Sequence, residues 1–183
     1  MMNLFKKVAQ SGKAFCRDEG GNGSIELVMV FPAAMFFFTA AYETGQIGLK
    51  NVMLERAIDN TVRQVRIGEI IEPTHDGLKE SICSFATIIP DCLNQITLEM
   101  ERKDPRAWTP LEETAECVDR AASSEPVVNF TSGSNNDLMV LRVCALVDPL
   151  LPYSGVGMAV SQEGEDAALA LVSTSSFVVE PYQ

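Results

Sequence analysis

The longest apolar segment of the chain runs from Ile25 to Tyr42 and reads IELVMVFPAAMFFFTAAY, with a single charge, Glu26, at its start. As a helix rising about 1.5 Å per residue, it would extend roughly 27 Å, close to the hydrocarbon thickness of a bilayer. Lysine and arginine residues precede the segment, which predicts a cytoplasmic N-terminal side and an exported C-terminal side. We therefore expect a single-pass inner-membrane protein with a basic cytoplasmic leader at residues 1–21, a transmembrane helix at 22–44 and a periplasmic or extracellular domain at 45–183.

The helical pattern continues past the apolar segment. Apolar residues recur at helical spacing with charged residues between them, namely Ile47, Leu54, Ile58, Val62 and Val65. Gly45 and Gly48 weaken the junction and predict a bend, while Gly68 predicts the end of the helix. We expect the apolar face of this second, amphipathic part to pack on the sheet of its own domain.

The remaining sequence predicts a small α+β domain. Residues 76–89 have the pattern of a short second helix that Pro90 ends. Alternation over Leu93–Met100 predicts a half-buried strand, Leu138–Val147 is the clearest buried strand, and Ala167–Val179 is a third that closes the sheet. The expected fold is thus an N-terminal transmembrane helix that continues into an amphipathic helix, packed on a small antiparallel β-sheet. Trp108, in a turn-rich loop over Lys103–Pro110, is expected to fill the core beneath that loop.

Charge is distributed unevenly along the chain. Residues 1–21 carry a net charge of +2, and the whole chain carries −11, so residues 22–183 carry −13. Binding to nucleic-acid phosphates requires a basic surface, so this balance argues against a nucleic-acid partner. The simplest role for the acidic body is solubility.

Four of the five cysteines follow the apolar segment, at Cys83, Cys92, Cys117 and Cys144. An even number on the exported side suits two disulfides in an oxidising compartment, and the spacings do not match common zinc sites. Four cysteines allow three connectivities. Cys83 and Cys92 are close in sequence and flank Pro90, so we pair them first, which leaves Cys117 with Cys144.

The residues around the start of the apolar segment resemble a known family. The stretch from Gly20 to Pro32, GGNGSIELVMVFP, resembles the N-terminal motif of TadE/TadG-like minor pilins, or pseudopilins, of the tight-adherence pilus. The ending from Ser173 to Tyr182, STSSFVVEPY, is similar to the Glu-Pro-Tyr ending of some relatives. The resemblance covers about 25 residues well; Asn22, Leu27 and the second glycine at Gly23 depart from the pattern.

The resemblance implies a pilin-like fold and a non-enzymatic role in pilus assembly and adhesion. It implies that a prepilin peptidase cuts after Gly21, so that Asn22 becomes the first residue and Glu26 the fifth. It also implies sibling pseudopilins, a pilus secretion platform and the lipid bilayer as partners, with no cofactor.

Glu26 and Pro32 are the candidate assembly residues. The Glu26 carboxylate could pair with the new α-amino group of a neighbouring subunit and thereby fix the register of adjacent helices, since either charge alone is costly in lipid. The alternative is a carboxylate that the helix dipole favours at the membrane surface. Pro32 could allow the helix to bend, or could be a proline that a membrane helix simply tolerates.

Other interpretations remain open. Thr39-Ala40-Ala41 could be a signal-peptidase site, which would release a secreted or periplasmic binding module after Ala41. An uncut anchor carrying a sensory domain is a third possibility. A Ser-His-Asp set would require His75, the only histidine, which lies in a turn-like stretch, and no phosphate-binding loop or GxSxG motif is present. We therefore do not expect an enzyme.

Overall fold

A single long helix, α1 (Gly23–Arg66), begins the described part of the computed structural model. The structure describes residues 23–107, 110, 114–121, 128–152, 155–160 and 168–181. The chain divides into two compact units, residues 1–39 and residues 40–183. In the first unit the described residues all belong to α1.

Helix α1 continues through Gly45 and Gly48 without an interruption. It ends at Arg66, and Gly68 follows with a φ of +76°. This left-handed conformation suits glycine, which has no Cβ to clash, and the Gly68 N–H donates to the Val65 carbonyl at 3.3 Å. The predicted stop is therefore confirmed.

The C-terminal part of α1 buries one face in the domain of residues 40–183. Four residues of the predicted apolar stripe are buried, and Ile47 is partly buried against the same core. The full set of buried side chains on α1 is Glu43, Leu54, Ala57, Ile58, Thr61, Val62 and Val65. Leu54 and Ile58 belong to a core cluster that includes Leu98 on one strand and Leu141 on the next. The prediction that this face packs on its own domain is confirmed, and the fold is α+β.

The second helix is shorter than the sequence predicted. Helix α2 (His75–Phe85) begins after Thr74, whose hydroxyl accepts the Gly77 N–H at 3.2 Å as a helix cap. It ends four residues before the predicted limit of residue 89. Pro90 disfavours helical geometry at the residue before it, and residues 86–89 form turns instead.

The predicted strand Leu93–Met100 is wrong at both ends. Residues Cys92–Gln95 form a single helical turn, α3, and strand β1 runs from Ile96 to Lys103. Asp91 causes the shift: its φ is +49°, its carbonyl accepts the Asn94 N–H at 2.9 Å, and its carboxylate accepts from Asn94 Nδ2 at 2.9 Å. These local bonds favour a turn over an extended backbone.

The sheet has three antiparallel strands in the order β1-β2-β3. Strand β2 (Leu138–Val147) has the predicted limits, and β3 (Leu169–Val178) lies within the predicted range. Lys103 pairs with Leu138 at one end of the β1–β2 ladder, and Val147 pairs with Leu169 at one end of the β2–β3 ladder. A short helix, α4 (Gly155–Val160), lies between β2 and β3 in the chain. The sequence did not predict it.

Two disulfides link parts of this domain, Cys83 with Cys92 and Cys117 with Cys144, at Cα–Cα distances of 5.7 and 5.3 Å. These are the pairs that the sequence favoured. The first joins α2 to α3. The second attaches the segment of residues 114–121 to β2, and the Thr97 hydroxyl reinforces this attachment by donating to the Glu116 carbonyl at 2.5 Å.

Candidate membrane and assembly segment

The N-terminal part of α1 presents its large apolar side chains to solvent rather than to a protein core. Ten of them between residues 25 and 38 are 41–74% exposed, including Val28, Phe31 and Phe37. Soluble proteins rarely expose so continuous an apolar surface. The helix is long and apolar enough to cross a membrane, and no residue of its most apolar stretch is buried, unlike the core helix of a soluble protein. It is therefore a candidate membrane anchor.

Two threonine hydroxyls, one in this segment and one just after it, are satisfied within the helix. The Thr39 hydroxyl donates to the Phe36 carbonyl at 3.0 Å, and the Thr44 hydroxyl donates to the Ala40 carbonyl at 2.9 Å. Such bonds matter in lipid, where no water replaces a missing partner. Pro32 lies inside the helix and has no N–H to donate to the carbonyl of Val28.

Glu26 lies in the first turn of α1 as described and is exposed. A carboxylate at this position is favoured by the helix dipole. Within the described part of the chain, Glu26 forms no salt bridge. The predicted processing residues, Gly21 and Asn22, lie outside the described residues, as does Trp108.

Glu43, one residue after the apolar segment, is the buried carboxylate of α1. It is 1% exposed, and its two carboxylate oxygens lie 3.2 and 3.1 Å from the backbone nitrogen of Leu151, which donates to them. Burying a carboxylate is costly unless it accepts hydrogen bonds, so this contact has a structural or functional purpose. It joins α1 to the connection that follows β2.

A second bond holds the same connection. Lys50 Nζ donates to the Asp148 carbonyl at 3.2 Å, while the Asp148 carboxylate pairs with Arg120 at 2.7 Å. Arg120 Nε in turn donates to Gln95 Oε1 at 2.8 Å. Residues 148–151 are thus held against α1 on one side and against the disulfide-linked segment on the other.

Glu43 is not among the site residues predicted from the sequence, although its position carries a signal. The buried stripe of α1 can be extended backwards by one helical turn from Ile47, which places Glu43 on the same face. A carboxylate directly after an apolar run also requires a partner if it does not face water. Its partner could not be deduced, because a backbone N–H on a distant loop leaves no mark in the sequence.

Charged groups also form a cluster on the strands away from α1. Arg142 Nε lies 3.1 Å from Glu99 Oε2, and Lys103 Nζ lies 2.7 Å from Glu101 Oε2. The Lys103 ammonium, by hydrogen-bonding the Glu101 carboxylate, lowers the pKa of that carboxyl below its ordinary value of 4.5. The Glu116 N–H donates to Glu99 Oε1 at 2.9 Å. The cluster therefore helps to fix the segment of residues 114–121.

His75 does not lie in a loop, as the sequence suggested, but is the first residue of α2. Its Nδ1 lies 3.1 Å from Asp76 Oδ1, and its ring packs edge-to-face on Phe130 at 5.7 Å between centroids. Among the residues that the structure describes, no group of three or more histidine, cysteine, aspartate or glutamate side chains is placed to hold a metal ion.

No protein-family model, curated protein or solved structure matches the chain.

Proposed function

We propose that this chain is a minor pilin, or pseudopilin, that assists assembly of a tight-adherence, type IV-like pilus at the inner membrane without catalysing a reaction. One observation carries the proposal. An unburied apolar helix with Glu26 in its first turn continues without interruption into the core helix of a small disulfide-linked α+β domain. One helix therefore combines the properties of a membrane anchor and of a folding core, as a pilin-like subunit requires.

Processing gives Glu26 its partner in this proposal. A prepilin peptidase cuts after Gly21 and leaves Asn22 with a free α-amino group, four residues before Glu26. Glycine suits the position before the cut because it has no side chain to obstruct a protease. The chain is then held in the membrane by its helix, with the basic leader removed on the cytoplasmic side.

The new amine and the carboxylate compensate each other between neighbouring subunits. A charge at the centre of a membrane helix costs about 2.5–3.5 kcal/mol on insertion scales and less near the edge. An ion pair removes most of that cost only when the two helices are in register. Register selection by one buried polar group is well attested in coiled coils, and we assign the same role to Glu26.

Pro32 supports the same function through backbone flexibility. Because it removes one helical hydrogen bond, the segment around Val28 bends or unwinds more readily than an uninterrupted helix does. Such a segment adjusts as a subunit leaves the membrane or packs beside its siblings.

Replacement of Glu26 tests the proposal. Glu26→Ala and Glu26→Gln should insert into membranes as the wild type does, yet assemble with sibling subunits at least tenfold less, measured by in-cell crosslinking and recovery of sheared pili. The matched control is Glu55→Ala, which removes an exposed carboxylate from the same helix and should leave both readouts unchanged. Normal assembly of Glu26→Ala would show that Glu26 is only a carboxylate that the helix dipole favours.

The alternative function is a secreted or periplasmic binding module released by signal peptidase after Ala41. The division of the chain favours it as a second candidate, because the unit of residues 40–183 would survive such a cut almost whole. It predicts a soluble protein that begins at Tyr42 and has lost Glu26 and Pro32.

A further inference from the structure

The connection after β2 contains two exposed leucines beside the end of the apolar segment. Residues 149–152, which we call the Leu150 loop, read Pro-Leu-Leu-Pro. Leu150 is 59% exposed and Leu151 is 38% exposed, whereas the side chains of β2 just before them are almost all buried. We propose that the Leu150 loop is a second membrane contact, which inserts Leu150 and Leu151 into the interfacial layer of the bilayer. This inference rests on the membrane anchor of the proposed function.

The contact with Glu43 sets the position of the loop along α1. Glu43 directly follows Tyr42, the last residue of the apolar segment, and the Leu151 nitrogen lies 3.1 Å from Glu43 Oε2. Side chains on a helix tilt toward its N-terminus, which here is the lipid end. The Leu151 backbone is therefore held beside the first turn of α1 beyond the apolar segment.

Two hydrogen bonds hold the two ends of this connection to different residues of α1. The Asp148 carbonyl is bound by Lys50, and three residues later the Leu151 N–H is bound by Glu43. Lys50 is seven residues farther along α1 than Glu43, which is about 10 Å of helix rise. The Leu151 N–H is thus bound by the α1 residue that is nearer to the apolar segment, and the Asp148 carbonyl by the residue that is farther from it.

The hydrogen bonding of the loop suits a site with little water. A backbone N–H loses water partners as it approaches the hydrocarbon, and the buried Glu43 carboxylate accepts the N–H of Leu151 internally. The loop itself carries no charged side chain, in a chain whose net charge is −11. Anionic headgroups would therefore repel most of the acidic domain but not these four residues.

Depth measurements with a spin label test this inference on the full chain in lipid nanodiscs of phosphatidylcholine and phosphatidylglycerol. A nitroxide is attached at Leu150→Cys in a Cys16→Ser background, which leaves the two disulfides intact. Collision rates with oxygen, which concentrates in lipid, are compared with those of a water-soluble nickel chelate. Phe37→Cys provides the reference within the apolar segment, and Leu93→Cys provides a matched exposed leucine on α3.

We expect the oxygen-to-nickel ratio at residue 150 to be at least threefold that at residue 93 and below that at residue 37. A ratio at 150 equal to that at 93, with a lipid-like value at 37, would overturn the inference while leaving the anchor intact. A water-like value at 37 would show that the anchor is absent, and both the proposed function and this inference would then fail.

Discussion

Glu43 and Leu151 lie 108 positions apart in the chain, yet the Leu151 N–H donates to both carboxylate oxygens of Glu43, at 3.2 and 3.1 Å. This bond fixes the connection after β2 to the helix at the residue that directly follows the apolar segment. The carboxylate is nearly inaccessible to solvent, so its hydrogen bonds compensate for the water that it has lost.

Removal of this acceptor should destabilise the domain. We expect Glu43→Ala to lower the free energy of unfolding by about 1–3 kcal/mol, because the Leu151 N–H loses a charged acceptor in a partly buried site. Denaturant unfolding of the full chain in detergent micelles measures the change. Glu55→Ala, at an exposed glutamate of the same helix, should change it by less than about 0.5 kcal/mol. Equal effects of the two variants would show that the Glu43 contact contributes nothing specific.

Periodicity predicted much of the fold because local and tertiary preferences agree over long segments. Strand β2, the amphipathic part of α1 up to Arg66 and the end at Gly68 follow from patterns that packing reinforces. The strand predicted over Leu93–Met100 failed because Asp91 adopts a left-handed conformation and begins a helical turn. A single such residue moved the strand by three positions, which alternation alone could not reveal.

Only some residues of the candidate site could be predicted from the sequence. Glu26 and Pro32 are identified by their place in an apolar run, and both lie in the exposed N-terminal part of α1. Glu43 was missed because its purpose depends on a loop contact that forms only in the folded domain. The distant pairing of Lys50 with the Asp148 carbonyl escaped prediction for the same reason.

On the part of α1 beyond the apolar segment, shortening a side chain to alanine should lower stability more on the buried face than on the exposed face. Leu54 is fully buried in the core cluster, whereas Val52 is exposed. Leu54→Ala should cost about 2–5 kcal/mol, because it leaves a cavity among well-packed side chains. Val52→Ala should cost less than about 1 kcal/mol by the same denaturant measurement. A large effect at Val52 in the isolated chain would contradict the assignment of the buried face.

The disulfides should contribute unequally to stability. In the chain-entropy account, the stabilisation grows with the sequence separation of the cysteines, which is 9 for Cys83–Cys92 and 27 for Cys117–Cys144. Replacing both cysteines by serine should then cost about 2–3 kcal/mol for the first pair and about 3–4 kcal/mol for the second. Thermal unfolding of the two double variants shows which of them loses more stability. A larger loss for the Cys83–Cys92 variant would contradict this account.

Acid should weaken the contact between Glu101 and Lys103. The lowered pKa means that the folded chain keeps Glu101 ionised to lower pH than the unfolded chain does. The stabilisation is therefore complete above pH 4.5, the ordinary value, and is lost as the pH falls through the lowered folded value. We expect the stability difference between wild type and Glu101→Gln to disappear over this window. In a Lys103→Gln background, the pH range over which this stability difference disappears should become narrower. An unchanged pH range would contradict the role of Lys103.

The N-terminal residue of the mature protein tests the central claim most directly. Intact-mass spectrometry of the chain extracted from membranes of its host should give a protein that begins at Asn22, and deletion of the prepilin peptidase should replace it with the uncut form. A protein found only in the soluble fraction and beginning at Tyr42 would contradict the account, because Glu26 and the apolar segment would then have been discarded. A chain that begins at Met1 in wild-type cells would likewise deprive Glu26 of the amine with which it is proposed to pair.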